Sequence, residues 1–585
     1  MLRKLFRWVI RTALIFAALI VIALVSDYFT SRIAANSVLV VTMRGPVVER
    51  GGPGVFGLLS ARQTPLNLVR RALERARDDS RVVGLVVKVI DPEMELGQAQ
   101  EVVASIKKFR QSGKWAAAYL ESAGEFSPGH LPYLVASATG DVTLMPQGDL
   151  NLVGVGIREI FARGTLDWLG IRPNFSAIGE YKTAANTFTE KNFTPAQKQA
   201  DDALIGNIFD QIVAATAADR KLDRETVVAL IDQAPLNAND GLKAKLVDRL
   251  EYEDEFNARV KEHGGLTHAM VEYTSYVRPR LAPSLAFADH IAVVYATGSI
   301  ERGEGGFDPL FSSESGAMGS DAMVRALRRA REDDSVRAVI LRVNSPGGSA
   351  LASELIRRQV ELTAKKKPVV VSMSGYGASG GYWISTPAHL IIAEPGTITG
   401  SIGVVGGKFN IGPAANKIFL NTGAVTRGAN VEMFSEFSDF TPEQARLFHD
   451  RFLGDTYAYF LKIVAAGRKL PIEQIDKIAQ GRVWTGEQAL ERKLIDQTGG
   501  FSEALAEARR LAKINRDQQV TLLEFPEQPS LLQALFSGRY AAAAGPRLAD
   551  APALRTLGPL WSMVRSTLGS DGMFGAAYCT VVPIL

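Results

Sequence analysis

Arg71-Ala-Leu-Glu-Arg-Ala-Arg-Asp-Asp-Ser80 and Arg325-Ala-Leu-Arg-Arg-Ala-Arg-Glu-Asp-Asp-Ser335 are one stretch written twice. Each has the spacing of an Arg-rich amphipathic helix. Each leads into a short β-branched run, residues 82–89 and 336–343, of the kind that forms a buried strand. Outward from this pair the matches continue. Ser37-Val-Leu-Val-Val-Thr-Met-Arg-Gly45 answers His290-Ile-Ala-Val-Val-Tyr-Ala-Thr-Gly298, and Phe193-Thr-Pro-Ala-Gln197 answers Phe440-Thr-Pro-Glu-Gln444. Arg220-Lys-Leu222 answers Arg468-Lys-Leu470, and Lys245-Leu-Val-Asp248 answers Lys493-Leu-Ile-Asp496. The separation stays between about 247 and 255 residues throughout, which is the mark of a tandem duplication.

Each copy alternates strand-like with helical runs. Residues 98–109 and 353–364 read as the next helices, 115–120 and 368–373 as the next strands, and 201–218 and 443–467 as longer amphipathic helices. Repeated βα alternation predicts an α/β protein whose two units each carry a parallel or mixed sheet faced by helices. The expected units are residues 30–284 and 285–521, followed by an Ala/Gly/Pro-rich tail, 522–585, in which the pattern weakens.

At 585 residues the chain is too long for one core. A net charge of +4 with no basic, aromatic-interleaved stripe gives no reason to expect nucleic acid. Cys579 is the only cysteine, so no intrachain disulfide or thiolate cluster is possible, and the six histidines show no zinc-ligand spacing. No metal or cofactor is implied. At the N-terminus, Arg3, Lys4, Arg7 and Arg11 (residues 1–11) precede an uncharged apolar run. Residues 12–29 therefore read as a transmembrane helix with its basic end in the cytoplasm and the rest exported, a cleaved secretory signal being the rival reading.

The differences between the copies carry the function. In the second copy the strand runs into Asn344-Ser-Pro-Gly-Gly-Ser349, whose adjacent Gly347 and Gly348 can present backbone N–H groups to an oxyanion. The first copy reads Ile90-Asp-Pro-Glu-Met94 there, without the glycines. In the second copy Ser401 stands between glycines in Thr397-Ile-Thr-Gly-Ser-Ile-Gly-Val-Val-Gly406, where the first copy has Asn151-Leu-Val-Gly154. Conversely, Lys182 lies eleven residues before Phe193-Thr-Pro, and eleven before Phe440-Thr-Pro stands Ala429. A site whose parts are lost reciprocally is complete if the copies pack face to face.

Ser401 with Lys182 as general base would form a serine–lysine dyad for acyl transfer. The lysine must then lose its proton near neutral pH, a fall of roughly three units from about 10.4, which burial can supply. Glu180, two residues away, would oppose this if it faced the site. Thr422 or Thr426 could orient the amine. A second serine competes: Gly377-Ala-Ser379-Gly-Gly381 fits the Gly-x-Ser-x-Gly elbow, with His389 and His449 after it. Its plainer reading is a helix N-terminus whose small residues pack on the Gly347-Gly348 loop.

Asn344-Ser-Pro-Gly-Gly348, Gly377-Ala-Ser-Gly-Gly-Tyr-Trp-Ile-Ser385, Thr399-Gly-Ser-Ile-Gly-Val404 and Gly179-Glu-Tyr-Lys182 together resemble the signal peptide peptidase family SppA (protease IV) in its long, duplicated form, over roughly residues 10 to 520. The resemblance implies a Clp protease/crotonase-like fold in each half. It also implies a serine peptidase with Ser401 as nucleophile, Lys182 as base and Gly347 or Gly348 in the oxyanion hole. It further implies a single-pass protein of the bacterial inner membrane, with its catalytic part on the periplasmic side. There it would cut hydrophobic peptides such as spent signal peptides, as a homotetramer with sites between halves and neighbours. Two other classes stay open on the residues alone: a crotonase-like acyl-CoA enzyme and a catalytically inactive envelope scaffold.

Overall fold

The computed structural model describes residues 33–51, 63–277, 289–306, 317–515, 518–527 and 576–577. The segment read as a transmembrane helix, 12–29, lies outside the described residues; among those described, no helix is long and apolar enough to cross a membrane. The first unit comprises β1 (Ser37–Val48), α1 (Leu66–Asp78), β2 (Val82–Glu93), α2 (Leu96–Arg110), β3 (Trp115–Leu120), α3 (His130–Ser137), β4 (Val142–Leu144), β5 (Arg172–Ile178), α4 (Pro195–Arg220), β6 (Arg249–Leu250) and β7 (Ala269–Glu272). Its main sheet runs in the order β7-β1-β2-β3-β4-β6, with every pair parallel. Both faces are covered, which is why the strands read as unbroken apolar runs. Leu39, Val41, Leu85 and Val87 join one core, while Val38, Val40 and Val86 pack with Phe256 on the other side.

The second unit comprises β8 (Asp289–Thr297), α5 (Ser320–Glu332), β9 (Val336–Ser345), α6 (Ala350–Ala364), β10 (Val369–Ala378), α7 (Gly380–Ser385), β11 (Leu390–Ala393), β12 (Ile398–Gly400), β13 (Val404–Asn410), α8 (Gly454–Arg468), α9 (Ile472–Ile478), β14 (Val483–Thr485), β15 (Gln497–Thr498) and β16 (Val520–Phe525). The order β16-β8-β9-β10-β11-β15 repeats the first sheet strand for strand, and a branch adds β12 and β14 beside the end of β10. The duplication in the sequence is a duplication of fold. Strand β16 pairs with β8 along its whole length, so the second sheet continues past residue 521. Farther on, Ala576–Ala577 pairs antiparallel with Gly348–Ser349.

One expected helix differs. Residues 443–467 are not a single α-helix: Pro442–Leu447 passes through a π-helical turn, Phe448–Leu453, into α8. The turn lies where Phe448 stacks between Phe440 and Phe452, with ring centroids 5.2 and 5.8 Å apart. The counterpart α4 runs uninterrupted for 26 residues.

Among the contacts that join the units, two bear on the site. Strand β5 of the first pairs antiparallel with β13 of the second over seven residues, from Val404 opposite Ile178 to Asn410 opposite Arg172. A buried ionic cluster lies deeper. Arg342 of β9, 2% exposed, donates to Glu49 and Glu101 of the first unit at 2.7 Å each, and to Ser372 and Ser374.

Candidate active site

The β5–β13 ladder decides where the chemistry meets. Just past its end on one strand lies Gly179-Glu-Tyr-Lys182, and just before its start on the other lies Ser401. The Lys182 amine, 4% exposed, donates to the Ser401 hydroxyl at 2.9 Å, to the Ser401 carbonyl at 3.1 Å and to the Ser379 hydroxyl at 3.0 Å. Three residues from both units thus meet in one buried cluster. Glu180, feared as a countercharge, is exposed.

Both serines are held in backbone conformations that side chains rarely adopt. Ser379 has φ 53° and Ser401 φ 52°. Such strain persists where the surroundings over-determine it, and it concentrates at functional sites. The Ser379 N–H donates to the Gly400 carbonyl at 2.8 Å, and its carbonyl accepts from Trp383, so the serine turns strand β10 into helix α7. The Ser401 N–H donates to the Arg482 carbonyl at 2.8 Å.

The glycines after Ser379 are a packing requirement. A Cβ on Gly380 would lie 3.2 Å from both Gly347 Cα and Gly348 N, and one on Gly381 would lie 2.6 Å from the Ser345 carbonyl. The start of α7 is therefore pressed against the loop leaving β9. Gly347 and Gly348 have φ values of 110° and 150°, open to glycine alone in practice. Gly347 N–H reaches the Ser345 hydroxyl at 3.2 Å, and its carbonyl accepts from Ile300.

The first unit holds the same scaffold with different occupants. Tyr133 donates to the Leu246 carbonyl as Tyr382 donates to that of Leu494, which aligns the two short helices and sets His130 at the place of Ser379. His130 Nε2 accepts from Gly154 N–H at 2.9 Å, and burial pushes its imidazole down to about 4, so it stays a neutral acceptor.

Of the residues expected from sequence, Lys182 and Ser401 are in hydrogen-bond contact, and Gly347-Gly348 border Ser379. The suggested orienting hydroxyls are a correction. Thr422 and Thr426 lie in an exposed segment, whereas the hydroxyls that meet the buried amine are serines. The histidines following Ser379 are engaged elsewhere: His389 Nδ1 accepts from Val369 N–H and His449 pairs with Ser176, so no hydrolase triad forms on Ser379. Sequence reasoning treated the two serines as rivals and missed that one lysine serves both. The signal was there in Gly-Ala-Ser-Gly-Gly, since such small residues after a strand mark a close backbone approach.

The model of peptidase family S49 matches residues 108–267 and 361–515. The chain is 31% identical over 518 residues to "Serine protease SPPA, chloroplastic" of Arabidopsis thaliana, covering 87% of this chain and 74% of that one. It is 32% identical over 525 residues to "Protease 4" of Salmonella typhi, covering 85% and 81%. A "Putative signal peptide peptidase SppA" of Enterococcus faecium is 30% identical over 200 residues, 34% of this chain and 57% of that one.

Proposed function

We propose, since this chain belongs to peptidase family S49, that its serine-peptidase chemistry uses Ser379 as nucleophile and Lys182 as general base, with Ser401 holding the amine in line. This exchanges the roles that the sequence reading gives the two serines. One observation carries it: the hydroxyl of Ser379 is 3.0 Å from the amine while its helix start abuts Gly347-Gly348. A nucleophile must leave the carbonyl oxygen beside unblocked donors. The N–H of Gly380, in the first turn of α7, has no acceptor within the helix, and the Gly347-Gly348 loop lies against it.

In this mechanism the neutral amine takes the Ser379 hydroxyl proton as the oxygen attacks the peptide carbon. The oxyanion settles against the N–H of Gly380, beside the Gly347-Gly348 loop, whose Gly347 N–H would have to turn from the Ser345 hydroxyl to join it. Collapse breaks the C–N bond, and the lysine ammonium returns its proton to the leaving amine. Water then attacks the acyl-enzyme with the same amine as base. A separation of 3.0 Å is within the reach such a transfer needs, and burial favours the uncharged lysine.

The substrates we propose are hydrophobic peptides, signal peptides among them, in keeping with the name of the Enterococcus relative. Residues 12–29 would hold the enzyme in the bacterial inner membrane with its site outside the cytoplasm. Copies would assemble as a homotetramer, and the exposed Trp168, Ile418 and Phe419 give them apolar surface to cover. Each unit would be of the Clp protease/crotonase type.

The test is peptidase activity of single variants on a hydrophobic peptide. Ser379→Ala and Lys182→Ala should each lose about 10⁴-fold or more in kcat, and Ser401→Ala roughly 10- to 100-fold. A dead Ser401→Ala beside an active Ser379→Ala would return the nucleophile's role to Ser401.

A further inference from the structure

The lysine and the two serines come from different units, so something must fix their spacing. The turn entering β14, residues 479–482, touches both sides at backbone level. The Gln480 carbonyl accepts from Tyr181 N–H at 2.8 Å, one residue before the lysine. Gly481 N–H donates to the Ile402 carbonyl, and the Arg482 carbonyl accepts from Ser401 N–H, each at 2.8 Å. Gly481, at φ 75°, lies so close that an added Cβ would sit 2.5 Å from Lys182 N and Cβ. A Cβ on Gly179 would likewise sit 2.4 Å from the Gln480 carbonyl carbon.

Gln480 itself is anchored from behind. It holds a left-handed φ of 50°. Its side-chain Nε2 donates to Asp476 at 2.6 Å and to the Tyr457 hydroxyl at 3.2 Å, its N–H donates to the same hydroxyl at 3.3 Å, and Oε1 accepts from Glu180 N–H at 3.4 Å. Tyr457 in turn donates to Asp476 at 2.6 Å. The side of the turn facing the first unit is closed by Arg482, whose guanidinium lies over Tyr181 and Trp484 at 5.0 and 4.5 Å.

We infer that residues 479–482 are the positioning element of the active site, with Gln480 as the side chain that locks the lysine-bearing loop of one unit to the serine-bearing turn of the other. None of these side chains touches the reacting atoms. They act by setting where Lys182 stands relative to Ser379 and Ser401. The inference rests on the serine–lysine reading above. An alignment role makes a specific demand: loosening the turn should slow the chemical step and leave substrate binding alone.

The experiment uses the full chain carrying Gln480→Ala, Tyr457→Phe or the pair, with Lys182→Ala as reference. It measures peptide kcat and KM, the rate at which a fluorophosphonate probe labels the reactive serine, and the melting midpoint. Gln480→Ala should lower kcat and labelling rate together by roughly 10- to 100-fold, since displacements of about 1 Å cost that much, with KM within about twofold. Tyr457→Phe, which removes one oxygen, should lose less and still fold. The pair should lose less than the product of the singles, as members of one hydrogen-bonded unit do. Wild-type kcat in both single variants overturns the inference. So does a loss of activity that follows only the melting midpoint and recovers at lower temperature. If Lys182→Ala labels at the wild-type rate, the underlying dyad fails and the positioning element with it, an outcome recognisable because the reference variant reports it alone.

Discussion

Ser379 and Ser401 show how much one residue's surroundings add to its identity. Both stand among glycines, both take left-handed backbone angles, and both reach the same amine within 3.0 Å. The sequence showed that a serine of the second copy must meet Lys182. It ranked Ser401 first, reading the packing of the small residues around Ser379 on the glycine loop leaving β9 as a plain structural contact and not as the setting of a nucleophile. Another side chain in the first unit was silent in the sequence altogether. Asp201 in α4 is buried with its Oδ2 lacking a hydrogen-bond partner, and burial together with the Glu159 carboxylate pushes it up to about 7. In the unfolded chain it titrates near 4. Between about pH 4 and 7 the folded protein keeps a proton that the unfolded chain has released, so stability falls as pH rises through that window and levels off above it. Asp201→Asn should remove this slope, giving a melting midpoint that exceeds wild type by more at pH 8 than at pH 5. A gap independent of pH would refute the account.

At the scale of elements, the legible parts are those whose reason is local. The strands are apolar runs, the helices α1 and α5 carry a clear amphipathic period, and the threonines that begin α4 and Pro442–Leu447 each accept from the N–H three residues on. The π-helical turn at Phe448–Leu453 was hidden, because the aromatic stack around it is set by tertiary packing. The β5–β13 ladder was hidden too, since nothing in Arg-Pro-Asn-Phe-Ser-Ala-Ile names a partner in the other unit. Yet this ladder delivers the lysine. At Gly407 in β13 the ladder leaves no room for a side chain: an added Cβ would lie 2.3 Å from the Asn174 carbonyl oxygen and 2.6 Å from Phe175 Cα. Gly407→Ala should therefore push the strands apart and cost roughly 10-fold or more in kcat, with the far-ultraviolet circular dichroism of both sheets retained. Full activity in that variant would mean the ladder does not set the site.

At the scale of the whole molecule, the duplication was evident from spacing, and the reciprocal loss of Lys182 and Ser401 pointed to the halves meeting. What fastens them was not evident. Arg342 reads in sequence as one more strand residue, and only the fold reveals it as a guanidinium shared between Glu49 and Glu101 of the opposite unit. Removing the cation alone would leave buried Glu49 with neutral donors only and buried Glu101 with Arg70 at 3.9 Å as its cation. Arg342→Met should cost about 3–5 kcal/mol in denaturant unfolding, and Glu49→Gln with Glu101→Gln in the same chain should return part of that. A loss under about 1 kcal/mol would show the cluster to be wetter than its burial indicates. The antiparallel seam between β5 and β13 has a last consequence, for the moment of synthesis. A ribosome delivers the amine long before it delivers the hydroxyls, so on the proposed serine–lysine chemistry an unfinished polypeptide carries no competent scissors. Cutting power arrives only once the later half has emerged and clasped the earlier one.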